Sequence, residues 1–275
     1  MKRIALLSIL ALLLFQTALA DEVRVTDAVA LMRAIAPGRT VILAPGEYLV
    51  SEIPADVQSD YVRFEQAYDG FQMVVHDVAG LELRGEGTHA SHIIASPRYG
   101  QVIQFQSCAD IKIVNIKAGH GPEKGYCTGG VLDFENCSKV SIADCFLYGS
   151  GTEGITTESC ADFQVRNSLI TGCTYGIMSI NTSTKVAFSD CKFFDNKEFE
   201  MLNIRRSADV TFTDCKFRKN RKGEWDGIDF MHVEDASELS FKNCEFIDNI
   251  ADRFCNDETL VKQKGCTFTG NSWQR

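Results

Sequence analysis

Asp190-Cys191-Lys192-Phe193 and Asp214-Cys215-Lys216-Phe217 are two copies of one phrase. It returns as Asp144-Cys145-Phe146-Leu147, Asn167-Ser168-Leu169-Ile170, Asn243-Cys244-Glu245-Phe246 and Gly265-Cys266-Thr267-Phe268. Counted from Cys145 through Ser168, Cys191, Cys215 and Cys244 to Cys266, the spacings are 23, 23, 24, 29 and 22 residues. A repeat of this length, rich in β-formers and without a helical period, describes a β-solenoid in which each coil stacks on the last.

Outward from that phrase, each repeat resolves into three short strands. The strand before it alternates, with Val140 and Ile142, Phe163 and Val165, Val186 and Phe188, Val210 and Phe212, and Leu239 and Phe241 on one face. Period two with one apolar face is strand behaviour. Asn115, Asp144, Asn167, Asp190, Asp214 and Asn243 follow this strand; such residues tolerate a left-handed backbone and mark a turn repeated in register. The next strand buries Cys145 and Leu147, Ser168 and Ile170, Cys191 and Phe193.

These strands and turns resemble the right-handed parallel β-helix superfamily of pectate-lyase-like proteins, specifically its carbohydrate-binding and sugar-hydrolase repeat group. The resemblance covers Leu81 to Phe268. It implies an all-β, single-stranded right-handed parallel β-helix of about eight coils, in one domain over residues 21–275. Ahead of the repeats, Thr26-Asp27 reads as a helix start and Pro37-Gly38 as its end, giving a short N-terminal capping helix over 26–36. Coils then run over 40–275, with Thr40–Leu43 and Pro45-Gly46-Glu47-Tyr48 in the first. A helix there covers the open end of the solenoid; Arg253 to Asp257 or Trp273 would close the other.

The remaining strand of each coil precedes the small-residue corners Cys108, Cys137, Cys160, Ser183, Ser207 and Ala236. Its outward side chains form two columns. One holds Gln104, Asp133, Thr156, Ser179, Asn203 and His232; the other holds Gln106, Glu135, Glu158, Asn181, Arg205 and Glu234. In the superfamily this sheet and its overhanging loops form the saccharide groove, so the resemblance implies that substrate lies here, with Asp133, Asn181 and Asn203 among its contacts.

Glu135 and Glu158 fall in adjacent coils. Two carboxylates that close share a proton, as glycoside hydrolysis requires, or share a cation, and with Asp133 they would form a calcium site. Solvated strand positions are the alternative. Arg205 is the cation of its column and His232 a proton carrier by type; lyases of this superfamily use Arg or Lys on or beside this sheet, which implies Arg205 as the base of a β-elimination.

Two coils are longer, and both insert before the groove strand. One insert carries Gly119-His120-Gly121 and Tyr126, the other Trp225. Long loops on a rigid face commonly bind, and the two aromatics offer flat surfaces for sugar rings. Gly119-His120-Gly121 resembles a tripeptide of the polygalacturonase family, which places His120 among substrate contacts, although the paired-aspartate and Arg-Ile-Lys elements of that family are absent.

Lys2 and Arg3, the apolar run Ile4–Phe15 and the exit Ala18-Leu19-Ala20 read as a cleaved signal peptide over residues 1–20, hence a periplasmic or secreted protein. The chain's net charge is −9, which excludes nucleic acid as a partner class, and no further stretch is apolar enough to span a bilayer. The eleven cysteines follow the repeat instead of any metal-binding spacing, so they pair between coils or pack as thiols. These features describe a polysaccharide-binding protein that cleaves its ligand as a lyase or hydrolase. A non-catalytic binding module and an accessory protein of envelope assembly remain the alternatives.

Overall fold

The structure, a computed structural model, describes residues 21–121, 129–149 and 152–274. The signal peptide expected over residues 1–20 and Tyr126 lie outside them. Three long sheets run the length of the molecule, and in each the strands follow one another in chain order. A ten-stranded sheet begins with Asp21–Val25 and Arg39–Leu43 and ends with Val261–Lys264. A nine-stranded sheet runs from Gly46–Leu49 to Thr267–Thr269, and an eight-stranded sheet carries the groove columns. The right-handed β-helix expected from the repeats is what forms.

Register is what makes the core. Because Phe188 pairs with Phe212 and Phe193 with Phe217 across parallel strands, like side chains sit above one another. Ring centroids of Phe188 and Phe212 are 5.0 Å apart, those of Phe212 and Phe241 4.7 Å, and those of Phe217 and Phe246 4.8 Å. These distances match the roughly 4.8 Å spacing of strands in a sheet, so the sheet itself sets the stacking. The cysteine columns are built the same way. Among the described residues ten cysteines are free thiols, with Cys108, Cys137, Cys160, Cys145, Cys191, Cys215 and Cys244 buried, which settles the choice in favour of packing.

The turn residues Asn115, Asp144, Asn167, Asp190, Asp214 and Asn243 all take positive φ, between 45° and 57°, as their side chains suggested. The next corner holds a second ladder that the repeat phrase did not reveal. Asn196, Asn220 and Asn249 are fully buried. Asn220 Nδ2 donates to Asn249 Oδ1 at 3.0 Å, and Asn196 Nδ2 donates to Asn220 Oδ1 at 2.9 Å. These residues and Asn271 each stand five positions after a column cysteine.

Both ends are closed. The N-terminal helix spans Ala28–Ala34, with Asp27 Oδ1 accepting from Ala30 N at 2.8 Å and Leu31, Met32 and Ala34 buried. Asp27→Ala removes this cap and is expected to lower stability by about 1 kcal/mol, read from the denaturant midpoint. The solenoid begins earlier than the sequence suggested, because Asp21–Val25 adds a parallel strand outside Arg39–Leu43. Val62–Ala67 folds antiparallel onto Gly70–His76 and closes the edge of the groove sheet.

At the far end, Phe254 and Trp273 close over Phe230, with Trp273 ring centroids 5.7 and 5.2 Å from theirs. Asn256 bonds both polar groups of the Val233 backbone, at 2.7 and 2.9 Å. Short strands Lys197–Glu198, Arg221–Lys222, Ile250–Arg253 and Ser272–Gln274 add a fourth sheet. Two-residue strands carry too little alternation to be read from sequence.

Candidate functional site

The groove strands pair in the register that the corners imply. Asp133 lies between Gln104 and Thr156, and Glu135 between Gln106 and Glu158. Further along, Ser179 pairs with Asn203 and Asn203 with His232, while Asn181 pairs with Arg205 and Arg205 with Glu234.

Asp133 is the centre of the first column. A hydrogen-bonded row reaches it across the sheet: Gln72 Nε2 donates to Gln104 Oε1 at 3.0 Å, and Gln104 Nε2 donates to Asp133 Oδ2 at 2.8 Å. Thr156 Oγ1 donates to Asp133 Oδ1 from the other side. The Asp133 side chain is buried, and loss of water pushes its pKa up to about 6. The Thr156 and Gln104 bonds oppose that rise, and the negative charges on Glu135 and Glu158 add to it. A second carboxyl, Glu153, sits on the loop just before the strand Ile155–Glu158. Burial raises its pKa against hydrogen bonds from Thr152 and Ser179, and the charge on Asp133 raises it further.

Glu135 and Glu158 are cross-strand neighbours, yet each has its own partner. Gln106 Nε2 donates to Glu135 Oε2 at 3.0 Å, and the Ser159 hydroxyl donates to Glu158 Oε1 at 3.4 Å, with Glu158 exposed. The carboxyl poised to hold a proton on this sheet is therefore Asp133, which sequence reasoning had placed with substrate and metal. Among the described residues no three His, Cys, Asp or Glu side chains gather as a metal site needs. Asp133, Glu135 and Glu158, the expected calcium ligands, are not gathered in that way.

The other expected catalytic groups do not join this cluster. Arg205 lies three strands from Asp133 in the sheet order and His232 four, which is about 14 and 19 Å at the spacing of strands in a sheet. Arg205 Nε donates to Asn203 Oδ1 at 2.9 Å and lies 3.7 Å from Glu234 Oε2, so its guanidinium is engaged by both neighbours. His120 belongs to the nine-stranded sheet, in the strand Lys117–His120, not to the groove sheet, and is buried with Nε2 on Gly100 O at 2.8 Å. Trp225 is 63% exposed, but it stands beside Lys197–Glu198 and Arg221–Lys222, lining a cavity of about 690 Å³ there.

The hairpin at the groove's edge supplies groups that the repeat analysis missed. Tyr68 and Tyr99, both exposed, make an edge-to-face pair with centroids 5.1 Å apart. Asp69 fixes the loop that carries the second ring by accepting from Tyr99 N at 3.1 Å. Arg63 bonds Glu65 Oε1 at 2.7 Å and reaches Gln106. The turn Tyr68-Asp69-Gly70 was the available signal, but the hairpin lies outside the repeat and its pairing with the sheet cannot be read from periodicity.

A family model described as "Right handed beta helix region" matches residues 101–273, and the chain belongs to that family. No curated protein is a detectable relative by sequence. Among solved structures, an alginate lyase from Paenibacillus sp. str. FPU-7 is similar with a TM-score of 0.58 at 13% identity, covering 93% of this chain and 98% of its own. A pectate lyase from Paenibacillus sp. 0602 gives 0.54 at 10% identity, over 91% of this chain and 78% of its own. A DFA-IIIase from Arthrobacter chlorophenolicus A6 gives 0.52 at 9% identity, over 87% and 62%. At such identities the likeness is one of fold.

Proposed function

We propose that the protein is an exported polysaccharide-binding β-helix that hydrolyses its ligand on the groove sheet, with Asp133 as the proton donor. The observation that carries this is the buried Asp133 carboxyl, with its pKa pushed up to about 6, at the middle of a polar row on an otherwise open sheet. A glycosidic oxygen leaves readily only when protonated. Asp133 gives its proton to that oxygen as the bond to the anomeric carbon breaks, and a water adds to the same carbon. Glu135, on the same strand face, takes the water's proton.

Two residues of strand set the Asp133 and Glu135 backbones about 6.6 Å apart, room for a water between carboxyls as in inverting hydrolysis. Asn181, Asn203, Arg205 and His232 continue the polar surface along which further sugar rings lie, and Tyr68 and Tyr99 offer a stacking edge at its start. The similar lyases and the DFA-IIIase support a carbohydrate ligand without choosing the reaction. Hydrolysis is preferred to elimination because Arg205 is engaged by Asn203 and Glu234.

The test is incubation of the protein with neutral and acidic polysaccharides, with mass spectrometry and NMR of the products. Fragments carrying an added water, released with inverted anomeric configuration, are expected. Unsaturated fragments would replace hydrolysis by elimination, and an absence of fragments across the panel would leave a binding module.

A further inference from the structure

A second site lies outside the groove, on the nine-stranded sheet. Its outward positions Glu47, His92, Lys117 and Phe146 fall in register on neighbouring strands, and with Tyr148 they line a cavity of about 510 Å³, within the range of small-ligand sites. His92 Nδ1 lies 3.9 Å from Glu47 Oε1, and Nε2 meets the Tyr148 hydroxyl at 2.7 Å. The carboxylate thus favours the proton on Nδ1 and leaves Nε2 to accept from the phenol. Burial, and then the charge on Lys117, lower the His92 pKa against the pull of Glu47, which keeps the ring neutral. Lys117 Nζ is 5.0 Å from the Tyr148 ring centre and 5.7 Å from that of Phe146.

Gly119, part of the tripeptide that the groove does not use, explains how the platform is laid. A Cβ there would meet the Tyr148 ring at 2.5 Å, so only glycine lets the ring lie on the strand and reach His92. His120, which lines the same cavity, bonds Gly100 O through Nε2 and lies near the Pro97 carbonyl, and among the described residues its buried Nδ1 makes no hydrogen bond of ordinary geometry. Such an orphan acceptor is rare in a folded protein, and a ligand hydroxyl or a bridging water satisfies it.

We propose that this cavity is a saccharide-binding site, separate from the groove, that holds an uncharged sugar ring against Tyr148 and Phe146. The aromatic faces match the C–H face of a pyranose, while Glu47, Lys117 and the His92–Tyr148 pair offer acceptors and donors to its hydroxyls. Two carboxylates, Glu47 and Asp195, against the single cation Lys117 in the lining select a neutral ring over a uronate.

The chain's five histidines make the test direct. His92 and His120 report this cavity, and His76 and His232 lie on the groove sheet. Imidazole NMR signals of the full chain are followed during titration with cellohexaose, mannohexaose, xylohexaose and maltohexaose, and with hexagalacturonate as the charged probe. A neutral hexaose is expected to shift His92 and His120 in the native chain and in Asp133→Asn. Apparent affinity should fall at least tenfold in Lys117→Ala, a surface change, and in Gly119→Ala, with folding checked by circular dichroism.

The proposal is overturned if no neutral probe moves His92 and His120, if hexagalacturonate moves them more strongly than every neutral probe, or if Lys117→Ala binds as the native chain does. Binding in the groove is followed separately, by His76, His232 and product formation.

Discussion

Asp133→Asn is expected to reduce release of saccharide fragments by about 10²- to 10⁴-fold, the range for loss of a general acid, while leaving binding along the groove within about threefold. The amide fits the same place. Its oxygen accepts from Gln104 Nε2, and its nitrogen donates to the Thr156 hydroxyl, which rotates to accept. The pH dependence has a defined sign. Asp133 must hold its proton to act, so activity declines as pH rises through about 6, and the variant lacks that limb.

Stability follows the same group. Its pKa is raised on folding, from an ordinary 3.8 to about 6, so between those values the native state binds more protons than the unfolded chain. Its stabilising contribution is complete below the lower value and is lost as pH rises through the upper one, by about 3 kcal/mol at most. Asp133→Asn should therefore flatten stability between pH 4 and pH 7 and leave the variant more stable than the native chain above pH 7. Urea midpoints at the two pH values check this. Equal pH slopes would mean that Asp133 is not held in the way the structure shows, and full activity in the variant would remove it from the chemistry.

How far the sequence reached is seen in three groups of residues. Columns such as Phe188, Phe212 and Phe241 were legible because a parallel sheet in register turns linear periodicity directly into contact. The outward columns were legible for the same reason, with Asp133, Glu135 and Glu158 placed on adjacent strands. Their chemistry was not. Which carboxyl is desolvated depends on what packs against it, and that is Gln104 and Thr156 across the sheet for Asp133, and Thr152 and Ser179 for Glu153. Arg205 and His232 looked like members of the site because they share columns with it, but a column in a solenoid is as long as the molecule. The tripeptide around His120 does not say which of three sheets carries it, and the structure places it on the nine-stranded one.

The buried asparagine ladder is expected to give the largest loss of stability from a single change. Asn220 is fully buried, and its side chain serves two neighbouring coils. Oδ1 accepts from Asn196 N at 3.1 Å and Asn196 Nδ2 at 2.9 Å, and Nδ2 donates to Phe193 O at 3.0 Å and Asn249 Oδ1 at 3.0 Å. Asn220→Leu conserves volume roughly but strips two donors on Asn196 and the Phe193 carbonyl of this partner, where water does not reach.

At about 1–3 kcal/mol for each of these three buried groups left without its bond, the loss is about 3–9 kcal/mol, a large share of a domain's total stability. The exposed turn one corner earlier supplies the control, because Asn243 Nδ2 makes the same kind of bond to Asp214 Oδ1 at 3.1 Å. There Asn243→Gly suits the positive φ of 53°, and water replaces the lost bond, so its effect should stay within about 1 kcal/mol. Denaturant unfolding of both variants measures the difference. If Asn220→Leu unfolds at the same midpoint as Asn243→Gly, the amide ladder contributes no more inside the solenoid than its counterpart does in water, and the coils are held by the phenylalanine stacks alone.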